Sequence, residues 1–147
     1  MPPAVMAEAL RRAADDRVGW LTTVTDAGLP SPTPVWFVVA ADGTLVVFSS
    51  PTARKVANIG RRPGVAFHLN CSPAGGGVLV VSGTARVGGP ARPSAEPGYA
   101  DKYAGWIARR GMTAEEFDDL SPARIAVRPQ RLWRGPGALS AAGRGGV

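Results

Sequence analysis

Apolar positions recur along this chain at two spacings, and each change of spacing marks a change of element. Over residues 4–15, Met6, Leu10 and Ala14 share one face while Arg11, Arg12, Asp15 and Asp16 lie elsewhere, which predicts a short amphipathic helix. VGWLTTVT (18–25), TPVWFVVA (33–40) and TLVVFSS (44–50) are instead runs of β-formers, divided by the turns DAG (26–28) and ADG (41–43). Asp-Gly turns between such runs predict an antiparallel meander of three strands, the second entered through the Pro-rich PSPTP.

ARKVANIGRR (53–62) returns to helical spacing, with Val56, Ile59 and Gly60 expected inward and Arg54, Lys55, Asn58 and Arg62 on the outer face. GVAFHLNC (64–71) and VLVVSGTARV (78–87) read as strands around the loop SPAGGG, and GGPARPSAEPG (88–98) as a linker. YADKYAGWIARR (99–110) reads as a helix with Tyr99, Tyr103, Trp106 and Ile107 on one side. TAEEFDDL (113–120) follows as a short acidic helix with Thr113 at its N-cap, and ARIAVRPQRLW (123–133) as the last strand. No repeat or domain boundary appears. The expectation is one mainly β domain over residues 1–135, a six-stranded antiparallel barrel with peripheral helices, and a disordered tail over 136–147.

Composition narrows the classes. Of 147 residues, 45% are hydrophobic and only 19% charged, which excludes a disordered chain. Net charge is +6, and 15 of the 17 cations are Arg, with Lys55 and Lys102 the exceptions; a basic protein of this size calls for an anionic partner. One cysteine, Cys71, cannot close an internal disulfide, and one histidine, His68, cannot complete a usual zinc ligand set. The start, MPPAVMAEALRRAADD, lacks the apolar stretch of a signal peptide. The longest apolar run, Val35 to Ala41, is far below the roughly 20 residues that span a bilayer. A cytoplasmic, metal-free protein without membrane insertion is the expectation. GxSxG, Walker A, HExxH and CxxC patterns are absent, so any chemistry is expected to belong to a bound cofactor and no side chain is assigned as catalytic.

The segment that carries most information is FSSPTARK, Phe48 to Lys55, where a strand gives way to a helix. Ser50 followed by Pro51 has the order of N-cap and first helical residue, with Thr52 a competing cap. The positive end of a helix dipole, hydroxyls from Ser49, Ser50 and Thr52, and the cations Arg54 and Lys55 together make a seat for a phosphate. Cations at a helix N-terminus oppose the dipole; the plainer reading is a solvated basic helix start, and the more specific one is an anion site.

The motifs VGWLTTVTDAGLPSPTPVWF (18–37), DGTLVVFSS (42–50), ARKVANI (53–59), RRPGVAFHL (61–69) and VVSGTARV (80–87), in this order and spacing, resemble the pyridoxamine 5′-phosphate oxidase-like split β-barrel superfamily. More narrowly, they are similar to the actinobacterial coenzyme F420-dependent (deazaflavin) oxidoreductases. The resemblance implies a homodimer with sites at the subunit interface. It implies that Arg54 and Lys55, preceded by Ser49 and Ser50, hold a cofactor phosphate, and that Thr33, Val35 and Trp36 lie beside the cofactor ring. Asn58 and Arg61 or Arg62 would extend the anionic groove, and Trp133 would enter from the second subunit. A substrate patch of the pyridoxamine-phosphate oxidases is matched only faintly by RLWRG (131–135).

F420 carries a phosphodiester and glutamates, and the cluster Arg54, Lys55, Arg61 and Arg62 suits such a polyanion better than the single phosphate of FMN, the alternative cofactor. The expected function is hydride transfer from reduced F420 to a small unsaturated or quinone-like organic acceptor. An FMN-binding flavoprotein, a non-catalytic cofactor carrier and a nucleic-acid-binding barrel are the alternatives. The last draws on Trp and Phe interleaved with Arg, but the strands carry apolar runs rather than aromatic-basic alternation. Trp20 and Trp106 are expected to pack in the core or an interface, Tyr99 and Tyr103 along their helix, and Cys71 to be inert.

Overall fold

The computed structural model describes residues 3–135, and the predicted tail 136–147 lies outside them. Four helices and seven strands follow one another: α1 (Pro3–Ala13), β1 (Gly19–Val24), β2 (Pro30–Val35), β3 (Val38–Val39), β4 (Leu45–Ser49), α2 (Arg54–Arg61), β5 (Gly64–Leu69), β6 (Val80–Gly88), α3 (Tyr99–Arg109), α4 (Ala114–Leu120) and β7 (Ala123–Trp133). A 3-10 turn, Pro93–Ala95, interrupts the predicted linker.

The strands form one antiparallel sheet in the order β2-β1-β5-β6-β7-β4-β3. Its two edges, β2 and β3, are consecutive in the chain and joined only by Trp36 and Phe37. Three Cα steps reach at most about 11 Å, whereas seven flat strands are about 29 Å wide. The sheet must therefore curl until its edges meet. This is the geometry of a split barrel.

The pairings of the expected meander are present, β1 with β2 and β3 with β4. One sequence expectation changes: the single strand read over 33–40 is two strands, so the sheet has seven and not six. The reason is at Phe37, whose backbone groups leave the ladder: its N–H donates to the Tyr103 hydroxyl at 2.8 Å, and its carbonyl accepts from Lys102 Nζ at 2.8 Å. The Tyr103 proton faces the carbonyls of Arg17 at 2.7 Å and Phe37 at 3.0 Å. Helix α3 thus seals the seam with side chains where strand pairing stops.

Alternate residues of each strand point into the barrel, where Leu21, Leu45, Phe67, Val81, Ile125 and Val127 are fully buried. Helix α1 adds Ala9, Leu10 and Ala13 to this core, and α2 adds Ile59. Phe37 meets Phe67 edge to face at 4.9 Å between centroids. A second cluster lies on the other side of β3 and β4, where Val38 and Val46 pack on Tyr99, Tyr103, Ile107 and Phe117 of α3 and α4. Tyr99 and Tyr103 are helix packing residues as expected. The predicted Thr113 cap is present as a full capping box with Glu116.

No helix among the described residues is long and apolar enough to cross a membrane. Nor do three or more His, Cys, Asp or Glu gather there as a metal-binding group.

Candidate functional site

The FSSPTARK segment leaves β4 at Ser49 and enters α2 at Arg54. Ser49 is buried, and its hydroxyl donates to the Ser50 carbonyl at 3.1 Å. The helix starts later than the Ser-Pro signal predicts. Ser50 Oγ accepts from the Thr52 amide at 3.3 Å and contacts the Thr52 hydroxyl at 3.0 Å, so Ser50 to Ala53 forms a turn closed by the Ala53 amide on the Ser50 carbonyl at 3.1 Å. Neither Ser50 nor Thr52 is the N-cap. That position falls to Ala53, which offers no side-chain acceptor, and the first turn holds no acid. The positive end of α2 therefore keeps its field uncompensated and adds two cations to it.

Of those two, Arg54 is exposed and Lys55 is half-buried. Among the described residues no carboxylate stands within ion-pair distance of either, the five ion pairs being made by other groups. Burial lowers the pKa of Lys55 below the ordinary lysine value. A partly desolvated ammonium without a counter-ion is stabilised by any anion that reaches it.

Asn58 departs from its predicted outer face. It is 5% exposed, and its side-chain amide donates to Thr23 Oγ1 of β1 at 3.0 Å. Gly60, expected inward, is exposed. Helical periodicity cannot separate a polar side chain that faces water from one that faces a buried hydroxyl. The Asn58–Thr23 bond fixes α2 against β1, and Thr23 pairs across the ladder with Ser31, two residues before Thr33 on β2.

Thr33 and Val35 point toward the barrel, but Trp36 does not join them. Val35 belongs to the barrel core, whereas Trp36 packs in the second cluster, stacked on Tyr103 at 4.7 Å and on Phe117 at 5.7 Å, with the Arg110 guanidinium 4.7 Å from its ring. Thr33 carries the one buried side-chain polar atom among the described residues without a hydrogen-bond partner, its Oγ1. Such a group is costly unless something else satisfies it.

Arg61 forms an ion pair with Asp26 of the β1–β2 turn at 3.3 Å, and Arg62 Nη2 reaches the Asp26 carbonyl at 3.5 Å. Trp133 is 49% exposed and pairs with Val80 at the far end of β7, whose other end, Ala123, pairs with Ser49. The ten steps between them extend about 33 Å, so within one chain Trp133 is remote from Lys55. On the sheet's outer face Trp20 and His68 are directly paired and parallel, 6.2 Å apart, and Trp20 Nε1 donates to Asn70 at 2.9 Å. The guanidinium groups of Arg17 and Arg109 each lie 4.7 Å from the Trp106 ring. Cys71 is exposed.

Sequence reasoning missed three polar locks: Asn58 on Thr23, Lys102 and Tyr103 on Phe37, and Asp118 on Ser94. Each joins residues 24 to 66 positions apart, and no local spacing signals such a pair.

Residues 6–133 match the family described as pyridoxamine 5′-phosphate oxidase. No curated protein matches the chain. Among solved structures it is similar to an F420 reductase at 23% identity and a TM-score of 0.66, covering 84% of this chain and 95% of that one. A conserved hypothetical protein from Mycobacterium tuberculosis matches at 20% identity and TM-score 0.60, over 90% and 82% of the two chains. HutZ, the heme storage protein from Vibrio cholerae, matches at 19% and 0.58, over 91% and 95%. At these identities the likeness is one of fold.

Proposed function

Because the chain belongs to the pyridoxamine 5′-phosphate oxidase family, we propose that it is an oxidoreductase that holds coenzyme F420 against the start of α2 and serves a small unsaturated or quinone-like organic acceptor. The observation that carries this reading is Lys55, half-buried in the first turn of an acid-free helix with no carboxylate partner among the described residues. The structural similarity to an F420 reductase supports the choice of cofactor.

The residues fit such a group in two respects. Arg54, Lys55 and the uncapped start of α2 offer charge to a phosphate. The buried Thr33 hydroxyl offers a hydrogen bond to the polar edge of a ring lying along β2. When bound, the cofactor supplies the hydride. The chain's own part is to bind and orient it, with Val35 backing β2 from the barrel core, Ser49 and Ser50 shaping the turn, and Asn58 holding α2 in place. Asn58 is assigned here to positioning, since its amide is engaged by Thr23. Trp36 contributes through the backbone of the β2–β3 link, its ring being stacked on Tyr103. Trp133, too far along β7 to serve its own chain's site, completes that of a second copy in a homodimer, and its 49% exposure supports that role.

The Arg61–Asp26 pair favours FMN as the second reading. It withdraws Arg61 from the groove that a polyanionic tail would use, and Arg62 reaches the Asp26 carbonyl, which leaves Arg54 and Lys55 disengaged, enough for a single phosphate. Titrating the protein with F420 and with FMN decides between them. Lys55→Ala and Arg54→Ala are each expected to weaken the preferred cofactor by about tenfold or more, as charge-assisted contacts of about 1.5–3 kcal/mol require. If both variants bind like wild type, the site is elsewhere. Turnover with a quinone-like acceptor separates an enzyme from a carrier.

A further inference from the structure

Helices α3 and α4 leave between them a cleft of about 280 Å³ that shares no residue with the Ser49–Lys55 segment. One wall is a line of exposed alanines on α3, Ala100, Ala104 and Ala108, and the floor includes Tyr99, Ile107 and Phe117. Alanines at four-residue spacing normally let two helices close to contact. Here α4 meets α3 through Phe117 on Tyr99, and its placement is set by locks of its own. Gly111 takes φ +74 and turns the chain out of α3, and the Thr113–Glu116 capping box fixes the start of α4. Further along, Asp118, only 6% exposed, accepts from the Ser94 amide at 2.9 Å, from the Ser94 hydroxyl and from the Arg92 guanidinium at 3.4 Å. The cleft is thus pre-formed, and it is open along the alanine wall.

We propose that this cleft is a binding site for a small, uncharged, mainly apolar organic molecule. Its size sits at the lower end of small-molecule pockets and suits ~10–20 non-hydrogen atoms. The charge of the ligand follows from the polar end of the cleft. Asp118 is already satisfied by Ser94 and Arg92, so a ligand cation finds no free partner there, and no Lys or Arg lines the cleft to receive a ligand carboxylate. Burial pushes the Asp118 carboxyl up, but the Ser94 and Arg92 bonds outweigh it and hold its pKa below the usual aspartate value, so the charge is present at neutral pH. A partner helix is a poor occupant: α4 has seven residues, too few to line a groove for anchors spaced from i to i+7.

Phe117, in the floor, stacks on Trp36 at 5.7 Å, so an occupant of the cleft should alter Trp36 emission. The test is a fluorescence titration of the full chain with the neutral dye Prodan, followed by displacement with decanol and with decanoate. Expected are saturable binding at one site per chain, displacement by decanol at least about tenfold better than by decanoate, and loss of dye affinity of at least about tenfold in Ala104→Phe. Ala104 is exposed, so a ring there fills the cleft without entering the core. Ala108→Phe is the second filling variant, and thermal melts by circular dichroism establish that each is folded. Lys55→Ala should bind the dye like wild type, which separates this site from the cofactor reading. Absence of saturable binding, decanoate competing as well as decanol, or folded filling variants that bind dye normally would overturn the proposal.

Discussion

Thr33 is the residue at which stability and binding are opposed. Its buried Oγ1 has no partner among the described residues, and a group left so costs roughly 1–3 kcal/mol. Thr33→Val keeps the shape and removes the polar atom. It is expected to raise Tm by a few degrees, corresponding to about 1 kcal/mol, while weakening cofactor binding. A melt together with a cofactor titration checks both signs, and a variant that loses stability and keeps affinity would mean that the hydroxyl serves the fold alone. Asn58 is the converse case. Its chemistry as a polar residue on a basic helix is legible in the sequence, but its direction is not, because the partner hydroxyl on Thr23 is 35 positions away.

At the scale of elements, amphipathic spacing located α3 and α4 to within a residue or two, and Thr113 with Glu116 marked the start of α4. The Ser-Pro signal before α2 failed because Ser50 bonds within its own turn instead of to the helix. The β6–β7 pair shows what strand alternation leaves out. Its register shifts between Ser82 and Gly83, and a Cβ built on Gly83 would collide with the Arg128 carbonyl on β7. That obstacle is backbone and cannot rotate away. Gly83→Ala is therefore expected to cost about 1–3 kcal/mol, measurable as a lower denaturant midpoint. Gly64→Ala, where the added Cβ meets nothing within 4 Å, is the control and should leave the midpoint nearly unchanged.

For the whole molecule the decisive feature is the seam. Two edge strands meet without pairing, and Lys102 and Tyr103 satisfy the backbone between them. Burial lowers the pKa of Lys102 to about 8, against opposing attraction from Asp16 and Asp15. Below that pH the folded chain holds a partly desolvated charge. Between about 8 and the ordinary lysine value of 10.5 the unfolded chain binds the extra proton, so stability rises with pH. Burial shifts Tyr103 the other way, up to about 12, and raises Tyr99 as well. Above the ordinary tyrosine value of 10.0 the unfolded chain loses those protons first, and the slope reverses. Stability is therefore expected to peak near pH 10 in denaturant titrations across pH. Lys102→Met should reduce the rise between pH 8 and 10 while the fall above it persists; an unchanged rise would place the titrating group elsewhere.

Several properties of this protein were determined by sequence alone, because their causes are local. They are the β-rich class with helices at four places, the capping box, the cation pair at Arg54 and Lys55, and the motif order by which the family is recognised. The tertiary structure decided what depends on distant partners. It broke one predicted strand into β2 and β3, because Phe37 is claimed by α3. It turned Asn58 inward, moved the Trp36 ring into the helical cluster and tied Arg61 to Asp26. It also left Lys55 without a counter-ion among the described residues. That last fact requires knowing where every carboxylate lies, which no spacing along the chain encodes, and it is the one on which the functional reading rests.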